Sequence, residues 1–136
     1  MAMRINETMR LIKDGKPGAG HSVNSEGVRD VAAWGKRAKW VDYYGPVNGQ
    51  IVGIAIFDHP SNPRHPTWWH VRDYGLFAAN PFGVHDFEGK PAGTGKLVVP
   101  ADTSITFRYR FLYHRGDELA GRVAEQYREY AATTPA

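Results

Sequence analysis

The sequence predicts a mainly β protein, an antiparallel β-sandwich with one α-helix at its C-terminal end. In residues 103–114, TSITFRYRFLYH, an apolar or aromatic residue stands at nearly every second position. A period of two is typical of a strand with one face in the core. In residues 117–132, Leu119, Val123 and Tyr127 recur every four positions, and this spacing predicts a helix. Asp117 precedes that pattern as a candidate N-cap.

The remaining elements are predicted in chain order from shorter patterns. Apolar and polar residues alternate over residues 3–11, which predicts a first strand, and KDGKPGAG (13–20) predicts a loop. KWVDYYG (39–45) is rich in aromatic and β-branched residues, and an Asn-Gly turn separates it from the next run. Residues 51–57 are apolar on both faces, so we expect a central strand there. A strand flanked by loops is expected within residues 68–83, followed by a glycine-rich turn.

Length and composition fit one domain, which we place at residues 3–134. The chain has 136 residues, 42% hydrophobic and 23% charged, and a formal net charge of +3. Lysine and arginine are spread along the chain, so no nucleic-acid partner is expected. The lack of cysteine excludes disulfides, thiolate zinc sites and cysteine nucleophiles.

The sequence also bears on the compartment of the protein. No apolar run is long enough to span a membrane, and the first residues do not form a signal peptide. We therefore expect a soluble chain without a membrane partner. Its compartment stays open, because a cytoplasmic protein and an exported protein whose leader is missing fit equally.

The densest chemistry lies in residues 58–75, DHPSNPRHPTWWHVRDYG. His59, His65 and His70 stand five or six residues apart there, and imidazole is a common metal ligand. The alternative is that each imidazole forms local hydrogen bonds in a proline-rich loop. Because no HxH or HExxH spacing occurs, we predict no metal and no cofactor.

The two adjacent tryptophans, Trp68 and Trp69, allow two interpretations. Neighbours on an extended segment face opposite ways, so one indole could enter the core while the other offers a platform for a sugar ring. Alternatively, both belong to the core.

Two strand faces carry the candidate catalytic and binding residues. His70, Arg72 and Tyr74 share one face of their segment. Arg108, Arg110 and His114 share one face of the strand predicted over residues 103–114. Side by side, the two faces would form a cationic concave surface suited to proton transfer and to anionic or hydroxyl-rich ligands. The alternative is a solvated face with cross-strand ion pairs. The candidate residues for proton transfer are His70, His114 and Asp73, and those for substrate binding are His59, Trp69, Arg72, Arg108 and Arg110.

Residues 53–83, GIAIFDHPSNPRHPTWWHVRDYGLFAANPFG, and residues 107–117, FRYRFLYHRGD, resemble the bacterial family labelled methane oxygenase PmoA. NSEG (24–27) and WGKRAKWVDYYG (34–45) match as well, so the resemblance extends from about Arg4 to Ala131. It implies a galactose mutarotase-like β-sandwich, of which this chain would be the C-terminal half. In such sandwiches a histidine and a carboxylate typically move protons to and from a sugar oxygen on the concave sheet face.

Two functions follow as hypotheses. The first is a protein, or half of one, that acts on or binds a carbohydrate through its His/Arg-rich sheet face. The second is a non-catalytic module that binds carbohydrate or protein. Half of a larger sandwich would leave apolar surface and strand edges uncovered, so we also expect a homo-oligomer.

Overall fold

The computed structural model describes residues 1–135 and has nine strands and two α-helices there. Short 3-10 turns at Glu7–Met9 and Asp30–Ala33 complete the regular structure. The strands are β1 (Ala2–Arg4), β2 (Ile12–Lys13), β3 (Lys16–Pro17), β4 (His21–Asn24), β5 (Trp40–Val47), β6 (Gln50–Asp58), β7 (Trp69–Val71), β8 (Leu76–Ala79) and β9 (Tyr109–Arg115), and the helices are α1 (Val84–Glu88) and α2 (Val123–Ala131).

Two antiparallel sheets form the body of the fold. The four-stranded sheet has the order β4-β5-β6-β9 and the three-stranded sheet the order β1-β8-β7, while β2 and β3 form a separate hairpin. The main core lies between the sheets, with Val41 and Ile56 from the first packed in one cluster with Trp69, Val71 and Phe77 from the second. The predicted mainly β class, with a helix at the C-terminal end, is confirmed.

The β5–β6 hairpin is the central element of the larger sheet. Its two-residue turn, Asn48-Gly49, has positive φ angles of 49° and 77°, the conformation for which this dipeptide is favoured. The prediction that residues 51–57 form a central strand is confirmed, because β6 pairs with β5 on one side and β9 on the other. Ile56 faces the main core, and Phe57 faces the opposite way.

Helix α2 covers the outer face of the four-stranded sheet. Val123, Tyr127 and Tyr130 pack there against Trp40 and Phe57 in a second apolar cluster. β6 is therefore buried on both faces, as its continuous apolar sequence requires.

The first predicted strand is much shorter than expected. β1 ends at Arg4, and residues 7–9 form a 3-10 turn. The side chain of Asn6 accepts a hydrogen bond from the backbone N–H of Thr8 at 3.0 Å, and this capping competes with an extended backbone.

The strand predicted over residues 103–114 begins only at Tyr109. β6 is its pairing partner, and the register places Tyr109 opposite Asp58, the last residue of β6. Residues before Tyr109 therefore have no strand to pair with. Phe107 and Phe111, which alternation predicts to be buried, are half-buried.

The C-terminal helix also starts later than the periodicity predicts. Asp117 does act as a cap, but of a turn, because its Oδ1 accepts from the backbone N–H groups of Leu119 and Ala120. Leu119 is 77% exposed, and Arg122 has a positive φ of 52°, which interrupts the helical backbone. The regular helix follows from Val123.

The histidine- and proline-rich loop is held by the buried carboxylate of Asp58. It accepts hydrogen bonds from Asn62 Nδ2 at 2.7 Å, His65 Nδ1 at 2.7 Å and the Thr67 backbone N–H at 3.0 Å. The Asn62 amide also bonds both backbone groups of Arg108, each at 2.6 Å. Hydrogen bonds to Asp58 and from Asn62 thus fix the conformation of this loop up to the start of β7.

Candidate functional site

The candidate functional site is the outer face of β7, on the side of the three-stranded sheet away from the core. Trp69 and Val71 are buried in the main core, so the alternation of the strand places His70 and Arg72 outside. Trp34, which follows the second 3-10 turn, and Phe87 of α1 lie beside His70.

Aromatic rings surround the two polar side chains. The ring of His70 lies 6.1 Å from that of Trp34 and 5.9 Å from that of Phe87, between ring centroids. The guanidinium carbon of Arg72 lies 5.7 Å from the ring centroid of Trp34 and 5.5 Å from that of Tyr74. The arrangement stacks a cation and an imidazole against aromatic faces.

A shallow groove of about 130 Å³ opens beside these residues, lined by Val31, Trp34, Val71, Arg72 and Asp73. Asp73 is held in place by its backbone carbonyl, which accepts from the N–H groups of Leu11 at 3.1 Å and Ile12 at 3.2 Å. Asp73 is half-buried and lines the groove next to Arg72. Of the predicted site residues, Arg72 and Asp73 line the groove, and His70 packs against Trp34, which lines it as well.

The polar groups of this face are available to a ligand. Within residues 1–135, neither the ring nitrogens of His70 nor the guanidinium of Arg72 form a hydrogen bond or ion pair with protein. The indole N–H of Trp34 also lacks an acceptor in that part of the chain, but it is buried and not open to a ligand. Burial, and then the charge of Arg72, lower the pKa of His70, while Asp86 opposes them. His70 is therefore a neutral imidazole at pH 7, with one donor and one acceptor nitrogen.

His114 lies on the opposite side of the molecule, under the segment that leads into α2. Its Nε2 donates to Asp42 Oδ1 at 2.8 Å, and its Nδ1 lies 3.2 Å from the backbone carbonyl of Arg115. The ring crosses over Gly53 of β6 and beneath Gly121, and a Cβ atom at either glycine would lie 2.4 Å from it. Its side chain is 5% exposed.

The His114–Asp42 pair is a buried electrostatic contact. Burial lowers the pKa of His114, but the hydrogen bond and charge of Asp42 outweigh it, so the net shift is upward. Burial raises the pKa of Asp42 more than His114 lowers it. Both ring nitrogens of His114 face protein acceptors, so the fold itself uses this side chain, and its role in proton transfer stays a prediction.

The predicted union of two cationic faces does not occur. β9 contributes Tyr109 and Phe111 to the side facing the main core, so Arg110 and His114 lie on the outer face of the four-stranded sheet. Arg110 is exposed there, with its guanidinium carbon 4.5 Å from the ring centroid of Tyr130. His70 and Arg72 do share one face, and so do Arg110 and His114. The two faces cannot lie side by side, because β7 belongs to the three-stranded sheet and β9 to the four-stranded sheet.

Three further predicted binding residues have other positions. Trp69 is fully buried in the core, and its indole N–H donates to the carbonyl of Ala38 at 2.8 Å. His59 is 3% exposed, and its ring nitrogens bond within the loop and to the carbonyl of Thr133. Arg108 is half-buried just before β9 and lies apart from the His70 face.

Trp34 and Phe87 are the site residues that sequence reasoning missed. Trp34 lies in a segment whose two glycines hide any periodic pattern, and Phe87 lies in a helix of five residues. Trp68 is also buried, at 7% exposure, so the interpretation that both adjacent tryptophans belong to the core is correct. Across residues 1–135, no three histidine or acidic side chains are grouped to hold a metal ion.

The comparison with known families shows the family of the chain. The chain belongs to the family of unknown function DUF6807, whose pattern matches residues 1–128. No curated protein and no solved structure is similar enough to match the chain. Among the described residues of this DUF6807 domain, no helix has the length and apolar character to cross a membrane.

We expect the two histidines to titrate on opposite sides of 6.5, the usual pKa of the side chain. Histidine ring resonances followed by NMR between pH 4.5 and 9 should give His70 a pKa below 6.5 and His114 a pKa above it. Because the pKa of His114 is raised above 6.5 in the folded state, protonation of His114 stabilises the fold. This contribution is fully present below pH 6.5 and is lost as the pH rises through the folded-state pKa of His114.

The matched variant is His114→Gln, which removes that contribution. Its deficit in unfolding free energy relative to the unaltered chain should be larger at pH 5.5 than at pH 8.5. A deficit that does not change with pH, or a His70 pKa above 6.5, would contradict the assignment.

Proposed function

We propose that this DUF6807 domain acts on or binds a carbohydrate through the outer face of β7. The observation that carries the proposal is the pair formed by His70 and Arg72, whose side-chain nitrogens have no protein hydrogen-bond partner within residues 1–135 and which lie against aromatic rings. Polar groups left unpaired beside aromatic faces are typical of a binding site.

The chemistry of the face suits a sugar. A sugar hydroxyl both donates and accepts hydrogen bonds, and neutral His70 offers one nitrogen for each role. Tyr74 is 40% exposed and adds an amphipathic aromatic side chain to the edge of this face. Arg72 has no carboxylate partner among the described residues, and its planar donors fit a carboxylate in two-point contact. We therefore favour an acidic sugar over a neutral one.

Catalysis at the same face is the second candidate. The neutral imidazole of His70, together with Asp73 in the lining of the nearby groove, supplies the residue types that move a proton to or from a sugar oxygen. The resemblance to mutarotase-like sandwiches motivates the same reaction class. Polarimetry of freshly dissolved D-galacturonate separates the candidates, since a binding module leaves the rate of anomer exchange unchanged.

The binding proposal is tested by calorimetric titration with D-galacturonate and D-galactose. We expect tighter binding of galacturonate by the unaltered chain. Arg72→Gln should raise its dissociation constant at least ten-fold, since loss of a charge-assisted hydrogen bond costs about 1.5–3 kcal/mol. His70→Gln should weaken both sugars.

Arg110→Gln is the matched control, because Arg110 carries the same charge on the other outer face and also lies over an aromatic ring. It should bind both sugars like the unaltered chain. Equal losses in Arg72→Gln and Arg110→Gln, or no binding of either sugar at millimolar concentration, would contradict the proposed site.

We also propose a second copy of the chain as partner, paired along the free edge of β9. β9 is seven residues long and ends the order of the four-stranded sheet, with β6 as its pairing strand among the described residues. Tyr113 is 69% exposed on it. An unpaired strand edge beside exposed apolar surface favours pairing with another chain, and a two-fold dimer is the commonest closed form.

Light scattering coupled to size exclusion tests this assembly. We expect a mass of about twice 15.2 kDa at micromolar concentration. Tyr113→Lys should shift the protein towards the monomer, since charged residues on an edge strand oppose pairing. A 15.2 kDa monomer for the unaltered chain would refute the dimer.

A further inference from the structure

A second cavity, of about 570 Å³, has walls from both sheets and shares no lining residue with the groove beside Arg72. β6 and β9 form one wall, and the residues that follow β1 form the other. Its volume lies within the range of small-molecule sites in proteins. The lining residues are Arg4, Ile5, Asn6, Met9, Val47, Val52, Gly53, Ile54, Tyr113, His114 and Arg115.

The cavity exists because the larger sheet extends beyond its cover. Val52 and Ile54 lie on the side of β6 that faces the main core, yet both remain only half-buried. β1 has only three residues and is followed by a 3-10 turn, so the smaller sheet does not extend far enough to cover Val52 and Ile54. The space left between the sheets has apolar walls that Ile5 and Met9 complete.

The charged groups around this cavity have one sign. Among residues 1–135, its lining contains two arginines and no acidic residue. Arg115 stands opposite Val52 in the β6–β9 register, is exposed, and forms no ion pair within residues 1–135. Arg4 is already engaged, with its guanidinium carbon 5.7 Å from the ring centroid of Tyr74. Arg115 is therefore the cation best placed to receive an anion at the cavity.

We propose that this cavity binds an amphipathic monoanion, a carboxylate that carries an apolar chain or ring. The apolar part lies against Val52, Ile54 and Met9 between the sheets. The carboxylate pairs with Arg115 at the end of β9, where bidentate contact with a guanidinium is available. The cavity is apolar in its interior and cationic at one end. Sugars are too polar for the interior and amines carry the wrong charge for Arg115, so neither is a preferred ligand.

Calorimetric titration with sodium decanoate and with decylamine tests the site, since the two probes share a chain length and differ in charge. We expect decanoate to bind and decylamine to bind at least ten-fold more weakly. Arg115→Gln should weaken decanoate about ten-fold without weakening decylamine, so that the preference for decanoate is lost. Methyl NMR should place the largest decanoate-induced shifts at Ile54 and Val52.

Arg110→Gln is the matched control, because Arg110 lies on the same strand but on the opposite face. It should bind decanoate normally, and so should Arg72→Gln, which separates this cavity from the proposed sugar site. Equal affinity for the two probes, an equal loss in Arg110→Gln, or methyl shifts elsewhere would overturn the proposal. So would a stable dimer to which decanoate does not bind, because a second copy would then occupy the cavity.

Discussion

The carboxylate of Asp58 ties the two sheets of this domain together. It stands at the last residue of β6, fully buried, and accepts hydrogen bonds from Asn62, His65 and Thr67. A buried charge is tolerated when donors surround it and is costly when they are removed. These three donors therefore fix the path of the loop that carries the chain from the larger sheet to the smaller one.

The site on β7 depends on where that loop ends. Immediately after Thr67, the indole N–H of Trp68 donates to Glu88 at 2.9 Å and that of Trp69 donates to Ala38 at 2.8 Å. With Trp69 anchored in the core, the two-residue period of the strand leaves His70 and Arg72 on the outer face. The histidine- and proline-rich stretch thus acts mainly as a scaffold, and its last part presents the candidate binding residues.

Local patterns predicted the local structure. The Asn-Gly hairpin and the shared face of His70 and Arg72 follow from neighbours in sequence, and both are present. The contact of His114 with Asp42 could not be predicted, because it joins residues 72 positions apart. It also requires glycine at positions 53 and 121, which sequence alone shows only as breaks in a strand and a helix. Periodicity predicts on which face of a strand a residue lies, but it does not predict to which sheet the strand belongs.

The most direct test of the role of Asp58 is Asp58→Asn, followed by chemical denaturation and amide hydrogen exchange. We expect a loss of about 2–4 kcal/mol in unfolding free energy. Protection should fall first in residues 59–71 while β5 and β6 stay protected. Asp14→Asn, in an exposed turn, is the control and should change stability by less than about 0.5 kcal/mol. Unchanged stability and protection in Asp58→Asn would contradict the account.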